Sequence, residues 1–375
     1  MTHAANEEPA RSDDRSDEGR RTGGRRAADR RAAGRRRPRR RGLRNVLIGC
    51  AVLALAAGGT AWWMYEDLDG NITSVDLDEA LGDDRPTKEP GTTEALNILV
   101  LGSDSRAGDN AELDGAKVGG ARSDTALVVH VAQGRSEAVA VSIPRDTLVD
   151  RPACVRADGT EVGPAKRVMF NSVYAQAGSA CTLKTVETMS GVRIDHLMEI
   201  DFAGFTSLVD ELGGVTVTVD EPIRNAKGGL SLDPGQHRLD GTESLEFVRT
   251  RYGYKDGSDL GRIGLQQQFL VALIGEVKRQ DLLGDPLKTY KIADSLTGAL
   301  TTDSELASLT SLAEFGQSLQ GIDPAAMDTV MLPVKYDPAD PNRVVPAQPL
   351  ADKVWDALRN DRPIPEAARK SPAAG

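Results

Sequence analysis

Arginines gather in one short stretch of this sequence, LEFVRTRYGYKDGSDLGR, residues 245–262. Arg249, Arg251 and Arg262 stand around a loop rich in Gly and Asp, directly after an apolar run. Guanidinium groups repel one another in an empty pocket, and their planar forks match phosphate oxygens bidentately. The cluster therefore predicts a site for an anion with several charged oxygens. Surface ion pairs with acids of the same loop are the simpler alternative, which spacing alone leaves open.

Charged residues also stand at the ends of three predicted strands, whose apolar runs read ILVL, ALVV and AVAV. The charged residues at these strand ends are Asp104, Arg106, Arg122, Asp124 and Arg145. A single Asp in such a place more simply caps a turn. Three strand ends together favour a site, because open α/β sheets bind ligands where their strands end.

Carboxylates beside an anion site indicate a metal ion. They would repel the anion unless a hard cation stood between them, and Mg²⁺ is held by one or two carboxylates together with substrate phosphates. We therefore expect Mg²⁺, or Mn²⁺ in its place, between carboxylates of these strand ends and the anion. A diphosphate with a metal ion points to phosphoryl transfer. The sequence has no GxSxG, GK[ST] or HExxH motif and no paired CxxC, which argues against the commonest hydrolase, nucleotide and zinc sites.

The elements that must position these residues alternate between strands and helices. The short apolar runs are typical of strands covered on both faces, and residues 215–219 alternate as a half-exposed strand does. Apolar residues at helical spacing predict helices over 202–212, 260–277 and 350–358. The pattern predicts an α/β fold, a single layered α-β-α domain with a central mixed sheet.

The chain is strongly asymmetric in charge. Residues 1–44 hold fifteen Arg against seven Asp or Glu, a net charge of +8, whereas the whole chain carries −10. Residues 46–64 contain no charge and would extend about 28 Å as a helix, close to the thickness of a bilayer core. The preceding arginines and the Trp62–Trp63 pair predict a single-pass membrane protein with a cytoplasmic N-terminus and an extracytoplasmic domain.

Composition divides the chain into five segments. We expect a disordered Arg-rich tail over 1–44, a transmembrane helix over 45–65, a tether over 66–94, the catalytic domain over 95–360 and a flexible tail over 361–375. The acids interleaved in the basic tail favour contact with anionic lipid over nucleic-acid binding. Cys154 and Cys181 lie outside the membrane, where they form either a disulfide or two buried thiols.

Several ordered motifs resemble those of the LytR–CpsA–Psr family of bacterial envelope proteins. They are NILVLGSDSR, ARSDT, SIPRD, FNSVYAQAG, DFAGFTSLVDELGGV, LDGTESLEFVRTRY and GRIGLQQQ. The resemblance implies an enzyme that moves a glycopolymer from a polyprenyl-pyrophosphate carrier to a peptidoglycan sugar hydroxyl, with the lipid tail between sheet and helices. The partners it implies are that lipid-linked donor, the peptidoglycan acceptor and the membrane.

The same resemblance implies roles for individual residues. Asp104 and Asp124 match the family's Mg²⁺-associated acids. The arginines that match or accompany its pyrophosphate-binding residues are Arg106, Arg122, Arg145, Arg249, Arg251 and Arg262. Among these residues we expect Asp104, Arg145 and Arg249 to be catalytic.

One departure and two alternatives accompany this interpretation. Leu265 stands where the family often has a further arginine, so either an anion contact is missing or the residue serves helix packing. The first alternative is a hydrolase, in which water replaces the sugar acceptor in the same pocket. The second is a membrane-bound regulator that signals through the basic tail, and deletion of residues 1–44 would reveal it.

Overall fold

The structure, a computed structural model, describes residues 39–82, 85–103, 123–156, 158–225, 228–251, 259–280, 284–370 and 373. Its helices are α1 Arg39–Gly70, α2 Leu77–Leu81, α3 Phe170–Ser190, α4 Phe202–Leu212, α5 Gly241–Arg249, α6 Asp259–Arg279, α7 Pro286–Ala299, α8 Leu309–Ser318, α9 Leu350–Arg359 and α10 Glu366–Arg369.

The strands lie between these helices, and several of them follow one another without an intervening helix. They are β1 Thr73–Val75, β2 Leu96–Ser103, β3 Ser123–Val131, β4 Ala138–Ser142, β5 Leu148–Arg151, β6 Cys154–Val155, β7 Glu161–Val162, β8 Ala165–Met169, β9 His196–Asp201, β10 Val215–Val219, β11 Ile223–Asn225, β12 Leu230–Leu232, β13 Gly235–Leu239, β14 Leu300–Asp303, β15 Asp328–Met331, β16 Val334–Tyr336 and β17 Val344–Pro346.

Within α1, residues 43–70 are long and apolar enough to cross a membrane, and the described residues contain one such helix. The chain divides into two compact units, residues 1–59 and 60–375. All the described strands lie in the second unit.

A seven-stranded mixed sheet in the order β1-β14-β9-β2-β3-β4-β15 forms the centre of the domain, which confirms the predicted fold class. β2 runs parallel to β9 and antiparallel to β3, and β4 runs antiparallel to β3 and parallel to β15. The carboxyl ends of β2, β4 and β9 therefore meet the amino end of β3 at one edge. We call this edge the carboxyl edge of the sheet.

Helices cover the sheet on both faces because its central strands are apolar on both sides. Leu99 of β2 lies in the core under α3 and α9, with Phe170 and Trp355. Ile98, its neighbour in β2, packs on the opposite face in a cluster that includes Phe315 of α8. A further core joins α4, α5 and α6 to the ribbons β10–β13 and β11–β12. The result is the expected α-β-α layering.

Part of the segment that composition assigned to a tether packs against this domain. β1 pairs with β14, and Leu77 and Leu81 of α2 are buried in the core. Arg85 follows, and its Nη2 donates to Glu187 Oε1 at 2.8 Å and to the Ile194 carbonyl at 2.7 Å. The turn-rich composition of this segment gave no indication of the buried ion pair between Arg85 and Glu187. Contact with the domain begins well before residue 95.

The opposite end of the chain behaves in the same way. Ala368 of α10 is fully buried, and Arg369 pairs with Asp328 of β15. Packing therefore continues at least to α10, inside the segment that composition assigned to a flexible tail. The structure also decides between the two states of the extracytoplasmic cysteines, because Cys154 and Cys181 form a disulfide with their Cα atoms 5.6 Å apart.

Asp303 holds β14 to β9 at the edge opposite the carboxyl edge. Its carboxylate accepts from the Leu197 amide at 2.9 Å and from the Glu305 and Leu306 amides at 3.0 and 3.3 Å. His196 Nδ1 lies 3.3 Å away. Burial raises the pKa of Asp303, but these hydrogen bonds outweigh it and hold the pKa below its ordinary value of 3.8.

We expect Asp303→Asn to lower the free energy of unfolding by about 1–3 kcal/mol at neutral pH, because an amide offers one acceptor oxygen where the carboxylate offers two. A depressed pKa stabilises the fold above the unfolded-state pKa, and that contribution is lost as the pH falls through the folded-state pKa. The difference between wild type and variant should therefore shrink below about pH 4. Urea unfolding over a pH series measures it, with the exposed Asp340→Asn as control. Equal stability of Asp303→Asn and wild type at neutral pH would contradict the expectation.

Candidate functional site

The carboxyl edge brings together the strand ends that the sequence marked with charge. Gly102 of β2 is paired with Thr125 of β3, and Ser103 is paired with Ser123 across an irregularity in the register. On the other side of β3, Leu127 is paired with Ser142, the last residue of β4. The chain therefore reaches the motifs GSDSR, ARSDT and SIPRD at neighbouring points of one sheet edge.

Two glutamines of α6 fasten this helix to the carboxyl edge. Gln266 Nε2 donates to Thr125 Oγ1 at 3.0 Å and to the carbonyl oxygen of Val248 at 3.1 Å. Gln267 Nε2 donates to Ser142 Oγ at 2.9 Å. The helix thus touches the start of β3, the end of β4 and the last turn of α5. The contacts of Gln266 and Gln267 therefore bring together the backbone segments that carry Asp124, Arg145 and Arg249.

Arg249 stands in the last turn of α5, where a cation interacts favourably with the helix dipole. A capping box of Asp240 and Glu243 begins this helix, so the register of its last turn is well determined. The guanidinium carbon of Arg249 lies 5.1 Å from the ring centroid of Phe202, the first residue of α4. The aromatic face therefore orients the arginine.

The other predicted arginines in the described residues are partly or fully buried on segments that adjoin this region. Arg262 is one turn before Gln266 on α6 and only 3% exposed. Arg251 follows α5 and is partly buried. The Arg145 side chain is 21% exposed, its Nε lies 3.7 Å from Asp146, and its carbonyl accepts from the Asn171 amide at the start of α3. These arginines are therefore held by the protein rather than spread over its surface.

The predicted metal ligands can be located only in part. Asp104, Arg106 and Arg122 lie outside the described residues, and Asp124 has its backbone in β3 while its side chain is not described. Asp104 follows Ser103 in sequence, and Asp124 follows Ser123. Ser103 and Ser123 are paired with each other in the sheet. The chain positions and the all-oxygen donor set fit a hard divalent cation such as Mg²⁺.

An apolar cavity opens beside these residues, between the sheet and the helices α4, α5 and α6. Its empty space, together with the solvent at its open mouth, is about 670 Å³. Its lining includes Gly102, Thr125 and Gln266 at the carboxyl edge, and Phe202, Phe205, Leu245, Val248, Phe269, Leu270 and Leu273 elsewhere. From Gln266 to Leu273 the cavity follows α6 for about 10 Å. Such a cavity suits a long apolar ligand whose polar end lies near the arginines.

The wall formed by α4 depends on a close approach to α7. A Cβ atom at Gly204 would lie 1.9 Å from the Cβ of Ala299. Gly204 also donates its amide to Asp201, the residue that caps α4. The absence of a side chain at this position therefore places α4, and with it Phe202 and Phe205, against α7.

We expect Gly204→Ala to lower the free energy of unfolding by about 1–3 kcal/mol, because the added methyl group forces the helices apart. Thermal unfolding of the full-length protein measures it. Gly275→Ala is the matched control, since a Cβ there meets no atom within 4 Å and α6 gains up to about 1 kcal/mol of helix propensity. If the two variants melted alike, the tight approach would not matter for stability.

Some contributions to the site were not predicted from the sequence. Gln266, Gln267 and Phe202 were noted only as parts of motifs, although their contacts position the arginine segments. The run of three glutamines within the apolar stretch of α6 was the available signal. Leu265 is 1% exposed in the core with Phe247 and Phe269, so it serves helix packing.

The sequence and the fold are similar to those of known proteins of the bacterial cell envelope. The sequence profile of the LytR_cpsA_psr family matches residues 64–360. The cell wall biosynthesis protein LcpA of Corynebacterium glutamicum is 29% identical over 285 residues, which cover 69% of this chain and 54% of that protein. This chain therefore spans about half the length of the corynebacterial relative.

A transferase and a ligand-bound structure are also similar. The polyisoprenyl-teichoic acid–peptidoglycan teichoic acid transferase TagT of Bacillus subtilis is 33% identical over 238 residues, 61% of this chain and 68% of that protein. The solved structure of TagT bound to LI-WTA superposes with a TM-score of 0.54 at 27% identity, covering 76% of this chain and 98% of that one.

Proposed function

The chain belongs to the LytR–CpsA–Psr family, and from that premise we propose that it is a phosphotransferase of cell-wall assembly. It moves a glycopolymer from a polyprenyl-pyrophosphate carrier to a peptidoglycan sugar hydroxyl and leaves a phosphodiester link. It does so as a single-pass membrane protein whose N-terminus is cytoplasmic and whose domain is extracytoplasmic.

The observation that carries the proposal is an apolar cavity whose lining includes Val248 and Gln266, residues on the segments that bear Arg249 and Arg262. A prenyl chain is apolar along its whole length and ends in a diphosphate. The cavity beside α6 matches the first part, and the segments bearing Arg145, Arg249 and Arg262 match the second. The name of the Bacillus relative, which pairs a polyisoprenyl-linked polymer with peptidoglycan, supports the same substrate class.

Each group then has a role in the reaction. Arg145, Arg249, Arg251 and Arg262 bind the diphosphate and stabilise charge as it moves toward the bridging oxygen. The acceptor hydroxyl oxygen attacks the phosphorus that bears the glycan, its bond to the bridging oxygen breaks, and polyprenyl phosphate leaves. Asp104 is our candidate to take the hydroxyl proton, and Arg106 and Arg122 support the site.

A divalent cation completes this assignment. Asp104 and Asp124 would hold Mg²⁺, or Mn²⁺ in its place, which when bound would neutralise part of the diphosphate charge. Positioning and neutralisation of charge supply most of the rate in phosphoryl transfer. The protein's own contribution is therefore the placement of the arginines at the mouth of the cavity.

The test is to incubate the full-length protein with a lipid-linked glycan, with and without peptidoglycan. We expect glycan to become covalently attached to peptidoglycan, and we expect EDTA to abolish the attachment and Mg²⁺ to restore it. Release of free phosphorylated glycan at the same rate with and without peptidoglycan would instead identify the hydrolase. Absence of any reaction with the lipid-linked donor would overturn the proposal.

A further inference from the structure

The carboxyl end of α1 is bound to α7 and α8 by side-chain hydrogen bonds. The donor–acceptor pairs are Tyr290 Oη to Asp67 Oδ2 at 2.6 Å, Asn71 Nδ2 to Asp294 Oδ1 at 2.9 Å, the Leu309 amide to Asp69 Oδ1 at 2.8 Å, and the hydroxyls of Tyr65 and Thr310 at 3.1 Å. We call Tyr65, Asp67, Asp69 and Asn71 the juxtamembrane contact.

The chemistry of these bonds makes the juxtamembrane contact firm. Asp69 accepts from the first amide of α8, where the helix dipole favours an anion. The hydrogen bond to Asp67, followed by burial, raises the pKa of Tyr290 to about 12, so its hydroxyl keeps donating at physiological pH. Leu68, between the two acids, is 7% exposed. Polar and apolar contacts thus fix the same turn.

The juxtamembrane contact binds to the domain the first residues of the segment for which a tether was expected. A flexible tether over 66–94 would have an end-to-end distance of about 30 Å and would let the domain rotate freely. In the structure, Tyr65 directly follows the last residue of the uncharged run, and β1 pairs with β14 from Thr73 onward. The chain is therefore bound to the domain from the first residue after that run.

A continuous path of packing connects this contact to the lipid cavity. Tyr290 and Asp294 lie on α7, and Ile292 of the same helix packs on Leu208 and Leu212 of α4. The close approach at Gly204 binds the same two helices. α4 contributes Phe202 and Phe205 to the cavity wall. The helix that receives the end of α1 therefore also supports the wall of the cavity.

We infer that the juxtamembrane contact positions the cavity for a prenyl donor that lies in the same bilayer as α1. Its members do not line the cavity, so they are positioning residues and not catalytic ones. The inference rests on the proposed function. It adds that capture of the membrane-resident lipid depends on the docked end of α1, whereas the chemical step does not.

The test compares two donors on one variant of the full-length protein in lipid vesicles. Asp67→Ala, Asp69→Ala and Asn71→Ala together remove three of the bonds. One donor carries an undecaprenyl chain and resides in the bilayer, and the other carries a short, water-soluble prenyl chain. We expect about tenfold slower transfer from the bilayer donor, because the effective concentration of the lipid donor at the cavity falls. The rate with the soluble donor should be unchanged.

A matched control and a direct readout complete the design. Asp340→Ala with Asn342→Ala also removes exposed side-chain hydrogen bonds, but in the turn before β17, and should alter neither rate. Hydrogen exchange of the Leu309 amide should accelerate in the triple variant alone. Equal loss with both donors, or wild-type rates with both, would overturn the positioning role. Unchanged exchange at Leu309 would overturn the contact itself.

A further arm separates this inference from the proposed function. A photoreactive undecaprenyl pyrophosphate in the same vesicles measures lipid capture without any transfer. Wild-type protein that cross-links to this probe but transfers no glycan refutes the proposed reaction alone. In that case about tenfold weaker cross-linking of the triple variant still supports the positioning role, and undiminished cross-linking refutes it.

Discussion

Arg249→Ala is expected to reduce turnover by about 100- to 1000-fold, the usual cost of removing one group that stabilises developing charge. Arg249 is suited to this role because the dipole of α5 favours its charge, and its guanidinium lies 5.1 Å from the ring of Phe202, a residue that lines the cavity. Arg249→Lys should recover only part of the rate, since an ammonium group lacks the bidentate fork. Steady-state transfer to peptidoglycan from a lipid-linked donor, with thermal unfolding in parallel, measures both variants.

The control for Arg249 is an arginine in an exposed ion pair away from the site. Arg224 pairs with Asp233 on the β11–β12 ribbon, and its side chain is 51% exposed. Arg224→Ala should leave both turnover and melting temperature close to those of wild type, because exposed ion pairs contribute little. Wild-type turnover in folded Arg249→Ala would remove Arg249 from the catalytic residues and weaken the assignment of the whole cluster.

The sheet and its principal helices could be predicted because their signals are local. The apolar run at 98–101 lies within β2, and the helix predicted over 202–212 is α4 with the same limits. Gly213, in the left-handed region at φ 84°, ends that helix where the sequence placed its end. Strand and helix periodicities depend only on near neighbours, so a single sequence carries them.

The details that define the site depend on contacts between distant segments, which no local pattern reports. The hydrogen bond from Gln266 to Thr125 joins residues 141 positions apart. Arg85 stands in a turn-rich stretch, yet it pairs with a glutamate that is 2% exposed. In the sequence, Phe269 and Leu270 are two consecutive apolar residues of one helix. The structure shows that Phe269 joins the core and also lines the cavity, whereas Leu270 lines the cavity without joining that core cluster.

This distinction between core and cavity explains how one helix serves two purposes. α6 buries Leu265 in the core, although the resemblance places an arginine there, and it directs Gln266 to the carboxyl edge. Leu270 and Leu273 continue the cavity away from that edge. Under the proposed function, the polar end for the diphosphate and the apolar wall for the lipid would be successive turns of a single element. Changes along α6 should therefore separate the two parts of substrate binding.

Leu270→Trp tests the apolar part. The larger side chain should fill the cavity one turn beyond Gln266 and exclude part of the prenyl chain. Since each buried methylene contributes about 0.8 kcal/mol, loss of three to five of them should weaken binding of a long-chain donor by about 2–4 kcal/mol, or roughly 30- to 1000-fold. The KM for an undecaprenyl-linked donor should rise accordingly. The KM for a donor with a single isoprene unit should change much less, because its chain ends near the carboxyl edge.

Leu287→Trp is the control for added bulk, since Leu287 is 65% exposed in the first turn of α7 and does not line the cavity. It should leave the KM unchanged for both donors. The comparison of chain lengths separates a filled cavity from a damaged site, because damage near the arginines would impair short and long donors equally. If Leu270→Trp kept wild-type KM for the long-chain donor, the lipid would have to bind elsewhere. The arginines at the mouth would then need another explanation than the diphosphate of a prenyl carrier.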